Sequence, residues 1–393
     1  MRIGVDVSCW NNSRGFGRFT RELLTQVFRL ESDHTFVALA DEEFGSRFDF
    51  PELEVVDVGS KRRVVDVAVA NDRRSVGDVI QFWNAARSQH LDAIYYPAVY
   101  SWFPPPSRVK SIVTFHDAIA EHFPELVFPS LKHRLLWNTK TWLARQSATH
   151  IVTVSQTAKS EIVEFLGVPP GKIDVICEGA SDIFRKVSDP VLNQRVRAKY
   201  ALPSDQRLLV YVGGFAPHKN LLRLLDAFAL VLTQPGGDEL ALVLVGDPGG
   251  AGFHSEYQKM IDRLRLTPEL SARVFWTGYA PDEDLAILLS NALGLIMPSL
   301  SEGFGLPALE AMRCGTPVLG AKDGAVMEVA GSAGLSFDPY DYRSIAASIL
   351  ELATRPDLEA TLRLATTKEI ARNTWERGAG LLLQTINRIL AVG

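Results

Sequence analysis

Short apolar runs alternate with longer stretches of helical period along almost the whole chain. Runs such as Ala93–Tyr96, Leu208–Val212 and Ala241–Val245 are apolar throughout, as strands buried on both faces are, whereas half-exposed strands alternate. In the first half the pattern predicts strands at Ile3–Val7, Thr35–Leu39, Glu54–Val58, Ala93–Tyr96, Ser111–Phe115, His150–Val154 and Ile173–Ile176. Helical periods fall between several of them, at Gly17–Leu30, Val76–Gln89, Ser130–Ala148 and Thr157–Leu166. The second half restarts the alternation. Its predicted strands are Leu208–Val212, Ala241–Val245, Arg273–Trp276, Gly294–Met297 and Pro317–Leu319. Its predicted helices are Leu221–Leu232, Phe253–Leu264, Asp282–Ser290, Leu306–Cys314 and Ile345–Leu352. Strand–helix alternation of this kind predicts parallel sheets covered by helices, an α/β architecture.

The chain has 393 residues, which at roughly 150 per domain means two or three domains. Glu178 to Pro203 has no clean period and contains Pro190 and Pro203, so the boundary is expected there. This gives a first domain over 1–185, a second over 186–374, and a closing helix over 375–393 that packs back towards the first. Two open sheets would face one another across a cleft, with ligands held at the carboxyl ends of the strands.

Composition narrows the function by exclusion. The 41 basic and 46 acidic side chains leave a net charge of −5, without the positive excess that nucleic-acid binding requires. Cys9, Cys177 and Cys314 are odd in number and far apart, fitting neither a disulfide framework nor a zinc site. They read as reduced thiols of a cytoplasmic protein. No apolar stretch is long enough to span a bilayer, so contact with a membrane would be peripheral. The basic runs Lys61-Arg62-Arg63 and Arg73-Arg74 are the sequence candidates for such contact.

The segment Pro298-Ser299-Leu300-Ser301-Glu302-Gly303-Phe304-Gly305-Leu306-Pro307 carries the clearest chemistry. A strand ends at Met297, glycines and a proline turn the chain, and a helix opens near Leu306. Unpaired amides and the dipole at such a helix start suit phosphate. Glu302 stands before that end and Glu310 one turn inside it, and a carboxylate can accept two hydrogen bonds from a vicinal diol. Phosphate flanked by carboxylates is the requirement of a nucleotide-sugar. Asp282-Glu283-Asp284 has metal-motif spacing but opens an apolar helix, where N-terminal capping accounts for it. Gly246-Asp247-Pro248-Gly249-Gly250 lacks the lysine of a phosphate-binding loop. Trp102-Phe103-Pro104-Pro105-Pro106 reads as a stiff exposed loop that could receive an acceptor.

Glu302 and Glu310, with seven residues between them, form an E-x7-E motif, and EGFGLPALEAMRCGTPV (302–318) resembles family 4 of the retaining glycosyltransferases (glycosyl transferases group 1). Further blocks resemble the family in the same order: GFGRFTREL (15–23), FHDAIAEHFPE (115–125), TVSQTAKSEI (153–162), YVGGFAPHKN (211–220), LVLVGD (242–247), FWTGY (275–279) and GSAGLSFDP (331–339). The resemblance implies a GT-B fold, two Rossmann-like doubly wound domains, the first for the acceptor and the second for the nucleotide-sugar. It implies that Glu302 holds hydroxyls of a donor hexose and Glu310 the ribose. Phe304, Gly305 and Leu306 would present backbone to sugar and phosphate, and Lys219 would neutralise the departing diphosphate. His116 would stand against the donor sugar, while Gly15 and Gly17 bring their loop close to the diphosphate. Many relatives have an arginine where this chain has Gly214. His218 or another basic residue, or the backbone of Gly213 and Gly214, would then have to supply the second clamp.

The implied reaction is hexose transfer with retention to a glycan or lipid-linked acceptor, without a cofactor or metal. Mannose from GDP-mannose is the first choice of donor. Two other readings fit the same residues: a GT-B nucleotide-sugar epimerase, and an inactive nucleotide-sugar-binding subunit of a partner transferase.

Overall fold

The computed structural model describes residues 1–12, 15–41, 50, 53–59, 75–247 and 256–391. It divides into two compact units, one formed by 1–124, 128–179 and 375–393, the other by 125–127 and 180–374. Residues 180–185, placed in the first domain on the sequence, therefore group with the second unit.

The first unit is built on seven strands: β1 (Arg2–Asp6), β2 (Thr35–Ala40), β3 (Glu54–Asp57), β4 (Ala93–Tyr96), β5 (Lys110–Thr114), β6 (His150–Thr153) and β7 (Ile173–Val175). All pair in parallel, in the order β3-β2-β1-β4-β5-β6-β7. The order reverses at β1/β4, so chains leaving these neighbours turn to opposite faces and open a crevice at their carboxyl ends. The helix Trp375–Ala391 closes this unit against the helix Gly15–Arg29. Two glycines permit the approach. A methyl group on Gly378 would sit 2.3 Å from the Cys177 carbonyl oxygen, and one on Gly179 would sit 2.4 Å from the Trp375 amide. Lys110 Nζ also donates to the Ile389 carbonyl at 2.8 Å.

The second unit has six parallel strands: β8 (Arg207–Val212), β9 (Leu240–Val245), β10 (Val274–Gly278), β11 (Ala292–Met297), β12 (Val318–Ala321) and β13 (Gly334–Phe337). Their order is β10-β9-β8-β11-β12-β13, with the reversal at β8/β11. β9 and β11 are buried at every position. That explains their unbroken apolar character, and the leucine-rich face of the helix Leu221–Leu232 covers the sheet.

Several expectations are corrected. The segment between the halves contains the helix Pro190–Lys199. Pro190 starts it, because the missing amide hydrogen costs nothing in a first turn, and Asp189 Oδ1 caps the next two amides. β13 and the helix Pro356–Ile370 were not anticipated. The strand is four residues long, and the helix buries only Leu362, Thr366 and Glu369, so neither has a strong apolar period. Trp102 and Phe103 lie in the core of the first unit, not in an exposed loop; of the prolines that follow, only Pro104 is fully exposed. The helix Asp282–Ser290 has Pro281 at its cap position, and Asp282, Glu283 and Asp284 all stand in its first turn. Asp284 accepts from Lys199 Nζ at 2.5 Å and from the Tyr200 hydroxyl at 2.8 Å, tying this helix to Pro190–Lys199. Lys61-Arg62-Arg63, Arg73-Arg74 and 248–250 lie outside the described residues.

Candidate functional site

The β8/β11 reversal brings together two loops that the sequence separates by about eighty residues. The first, 213–220, leaves β8; the second, 298–305, leaves β11. Gly213 opens the first loop under a tight constraint. A methyl group there would meet the Tyr211 hydroxyl at 2.7 Å, and one on Gly246, at the end of β9, would lie 2.0 Å from the Gly213 carbonyl oxygen. The Tyr211 hydroxyl donates to the Gly214 carbonyl at 2.5 Å. Gly214 itself is open: a methyl group would meet nothing within 4 Å.

Asn220 sews the two loops together. It sits in the left-handed region (φ 61°, ψ 31°) just before the helix Leu221–Leu232. Its buried amide donates to the Pro298 carbonyl at 3.0 Å and to the Pro339 carbonyl at 2.8 Å. Arg223 donates to the Asn220 side-chain oxygen at 2.7 Å. The Leu300 amide adds a 2.8 Å bond to the His218 carbonyl. Held this way, Lys219 Nζ lies 2.7 and 2.8 Å from the two oxygens of Glu302. The Ser299 hydroxyl donates to the same carboxylate at 2.6 Å. Burial alone would raise the Glu302 carboxyl, but Lys219 and Ser299 outweigh it and hold it below the usual range.

His218 cannot supply the missing clamp charge. It is buried, and burial together with the neighbouring Lys219 ammonium lowers its imidazole to about 3 despite Glu302, so it is neutral at pH 7. Of the alternatives raised by the sequence, a basic charge from His218 is thereby removed.

The helix Leu306–Arg313 follows Gly305, which adopts φ 95°, ψ 51° with Val326 packed 3.1 Å from where a side chain would begin. Pro307 has no amide hydrogen, and the Ala308 amide donates to the Gly305 carbonyl at 2.8 Å. The backbone amides this end can offer are therefore those of Phe304–Leu306. Phe304 is buried beneath it. Glu310 is also buried, 2% exposed, so it is no solvated surface charge.

In the first unit, His116 follows β5 after Phe115. Its Nε2 lies 2.9 Å from the Pro97 carbonyl, its ring meets Phe19 edge-on at 4.6 Å, and Nδ1 lies 3.9 Å from Glu178 Oε1. A carbonyl only accepts, so Nε2 carries the proton and Nδ1 presents a lone pair. Burial lowers this imidazole to about 4 against the opposing Pro97 bond, leaving it neutral at pH 7. Gly15 begins the helix Gly15–Arg29 and is exposed. Gly17 has a packing reason of its own: a methyl group would lie 2.1 Å from the Asn12 carbonyl oxygen. Within the second unit the structure thus brings Gly213, Gly214, Lys219, Glu302, Phe304, Gly305, Leu306 and Glu310 to one sheet edge. Asn220 and Ser299, which hold that cluster, were missed. Asn220 ends the block 211–220 and Ser299 stands three residues before Glu302, yet single polar residues in loops carry no periodic signal.

Comparison with known proteins agrees with this geometry. Residues 13–182 match the family described as "Glycosyltransferase Family 4" and residues 193–369 that described as "Glycosyl transferases group 1". The O-antigen chain mannosyltransferase B of Escherichia coli is 34% identical over 275 residues, 69% of this chain and 67% of the relative. The serotype-specific mannosyltransferase WbdA of Escherichia coli is 26% identical over 328 residues, 83% of this chain. The match spans only 38% of WbdA, so the chain corresponds to well under half of that protein. The D-inositol 3-phosphate glycosyltransferase of Thermobispora bispora is 30% identical over 264 residues, 63% of this chain and 59% of the relative. Among solved structures, the sucrose-phosphate synthase of Thermosynechococcus elongatus superposes with a TM-score of 0.75 at 19% identity, covering 100% of both chains. The Anabaena protein HepE, in a complex with UDP-glucose, gives 0.73 at 19% identity over 99% of this chain and 100% of its own. With two parallel sheets, each reversing its strand order beside the first strand, and the glutamate pair at the second reversal, the chain belongs to family 4 of the GT-B glycosyltransferases.

Proposed function

We propose that the chain transfers a hexose, with retention of configuration, from a nucleoside-diphosphate sugar to a glycan or lipid-linked acceptor. The carrying observation is the Lys219–Glu302 pair at the β8/β11 reversal, with buried Glu310 one turn inside the adjoining helix. A diphosphate seated on the Phe304–Leu306 backbone puts Lys219 where leaving-group charge develops, and an ammonium in a partly buried site stabilises that charge most at the transition state. Glu302, kept ionised by Lys219 and Ser299, accepts from sugar hydroxyls. Glu310 accepts from the ribose diol.

The sugar C1–oxygen bond to the diphosphate breaks as the bond to the acceptor oxygen forms on the same face. The acceptor proton passes to the departing diphosphate oxygen. No side-chain general base is required, and Lys219 supplies the positive charge for which other transferases use a divalent cation. For His116, set against the donor sugar by the family resemblance, Nε2 is committed to Pro97, so Nδ1 is the atom that would accept from a sugar hydroxyl. The mannosyltransferase relatives support mannose as the hexose, and GDP-mannose stays the first choice of donor.

A panel of nucleotide-sugars, read by thermal shift and by product mass with an acceptor extract, tests the reading. One donor should stabilise the protein and add one hexose to an acceptor. Stabilisation by none, or conversion of the sugar without any acceptor, would refute it.

A further inference from the structure

We infer that the helix Leu131–Ser147 of the first unit rests on an anionic lipid surface, with Leu131, Leu135 and Trp142 entering the interface and Lys132 and Arg134 beside them. The helix, LKHRLLWNTKTWLARQS, has an unusual outer face. Leu131 is 82% exposed, Leu135 66%, Trp142 52% and Leu143 43%. At about 100° per residue, Leu131, Leu135 and Trp142 fall within an arc of roughly 40°, one stripe about 16 Å long. Arg134 lies on one side of that stripe and Lys132 on the other, both exposed, while Arg145 is held inward by the Thr141 and Leu166 carbonyls. The inner face is already used, because Thr141 and Ala144 are buried and Lys140 Nζ donates to the Tyr100 carbonyl at 2.5 Å.

Charge selects the occupant. Residues 131–147 contain four lysines and arginines and no acid, in a chain whose net charge is −5; Lys140 and Arg145 are taken by backbone carbonyls, and Lys132 and Arg134 are exposed. An apolar stripe of leucine and tryptophan with cationic flanks is the composition of a helix lying in the plane of a membrane interface, with the cations reaching anionic headgroups. A protein partner would normally find a rim of both signs. Beside the stripe lies a cavity of about 460 Å³ lined by Glu121, Arg134, Asn138, Trp142, Arg145 and Phe165. Burial, more than the opposing Trp137 hydrogen bond, pushes the Glu121 carboxyl of this cavity up to about 7, which weakens its negative charge beside the basic flank. The helix lies on the surface and does not cross: among the described residues no helix is long and apolar enough to do so.

Flotation of the full chain with vesicles tests this, using phosphatidylcholine alone and phosphatidylcholine mixed with phosphatidylglycerol. The wild type should float with the anionic vesicles and release as salt rises. Leu135→Glu/Trp142→Glu and Lys132→Glu/Arg134→Glu should each lower partitioning at least about tenfold, at unchanged melting temperature, since all four positions are exposed. Retained donor binding in both variants would separate a surface defect from damage to the transferase site. Failure of the wild type to float, or equal flotation of wild type and variants, would overturn the proposal. So would loss of a dimer in the variants, seen by size exclusion without any vesicle binding, which would make the face a contact between copies.

Discussion

Lys219 and Glu302, 83 positions apart in the chain, form a two-pronged ion pair in which one ammonium meets both carboxylate oxygens at 2.7 and 2.8 Å. Neither side chain is fully exposed, so screening by water is limited and Lys219 holds Glu302 ionised.

Lys219→Ala should therefore have two separable effects. Turnover should fall about 10²- to 10³-fold, more than donor affinity, as expected when charge stabilisation is lost mainly in the transition state. Equal losses would remove the leaving-group role. The second effect concerns stability. In the wild type the Glu302 carboxyl is depressed, so its contribution is present above the unfolded carboxylate value and is lost as pH falls through the folded one. Without Lys219, burial dominates and that carboxyl rises. The variant should be less stable by about 3 kcal/mol at pH 7, and the gap should close in acid. Denaturant unfolding at several pH values measures both.

His116 predicts a pH dependence of its own. Its folded value, about 4, lies below the ordinary 6.5. The stability it contributes is thus complete above about pH 6.5 and is lost as pH falls towards 4, up to about 3 kcal/mol. His116→Gln should flatten that part of the stability curve. An unchanged slope would mean that the histidine is not held neutral by the fold.

The open space at Gly214 invites a gain of function. A β-carbon there meets no atom within 4 Å and requires no left-handed backbone. Gly214→Arg should leave stability within about 0.5 kcal/mol. It should also tighten binding of a nucleoside diphosphate severalfold by adding a second cation. Calorimetry of GDP and UDP binding decides the matter, and weaker binding would show that the diphosphate lies elsewhere.

Asn220 should prove structurally expensive to change. Asn220→Ala loses two buried amide bonds and places a side-chain-bearing residue without local compensation at φ 61°, for about 3 kcal/mol. Asn220→Gly loses the bonds but relieves the backbone, and should cost about 1 kcal/mol less. Equal costs would place the whole effect in the hydrogen bonds.

Much of this was legible because parallel strands buried on both faces write continuous apolar runs. β4, the helix Leu221–Leu232 and the helix Asp282–Ser290 have the bounds their patterns predict. The loop of Glu302 and the helix of Glu310 were legible because an apolar run ends there in glycines and a proline. What escaped depended on tertiary context. Pro190 reads as a breaker until Asp189 caps the turn it starts. His218 reads as a cation until burial beside Lys219 makes it neutral. Trp102 and Phe103 read as exposed because the prolines beside them do, yet both fill the core.

The claim on which the rest depends is that a nucleoside diphosphate binds at the β8/β11 reversal with its ribose on Glu310. Titration calorimetry of GDP and UDP into the wild type and Glu310→Gln, with melting temperatures as a folding control, tests it most directly. The account predicts one site for one of the two nucleotides and about tenfold weaker binding in the variant, the loss expected for hydrogen bonds to a charged acceptor. An unchanged dissociation constant in a folded variant, or no binding of either nucleotide to the wild type, would contradict it.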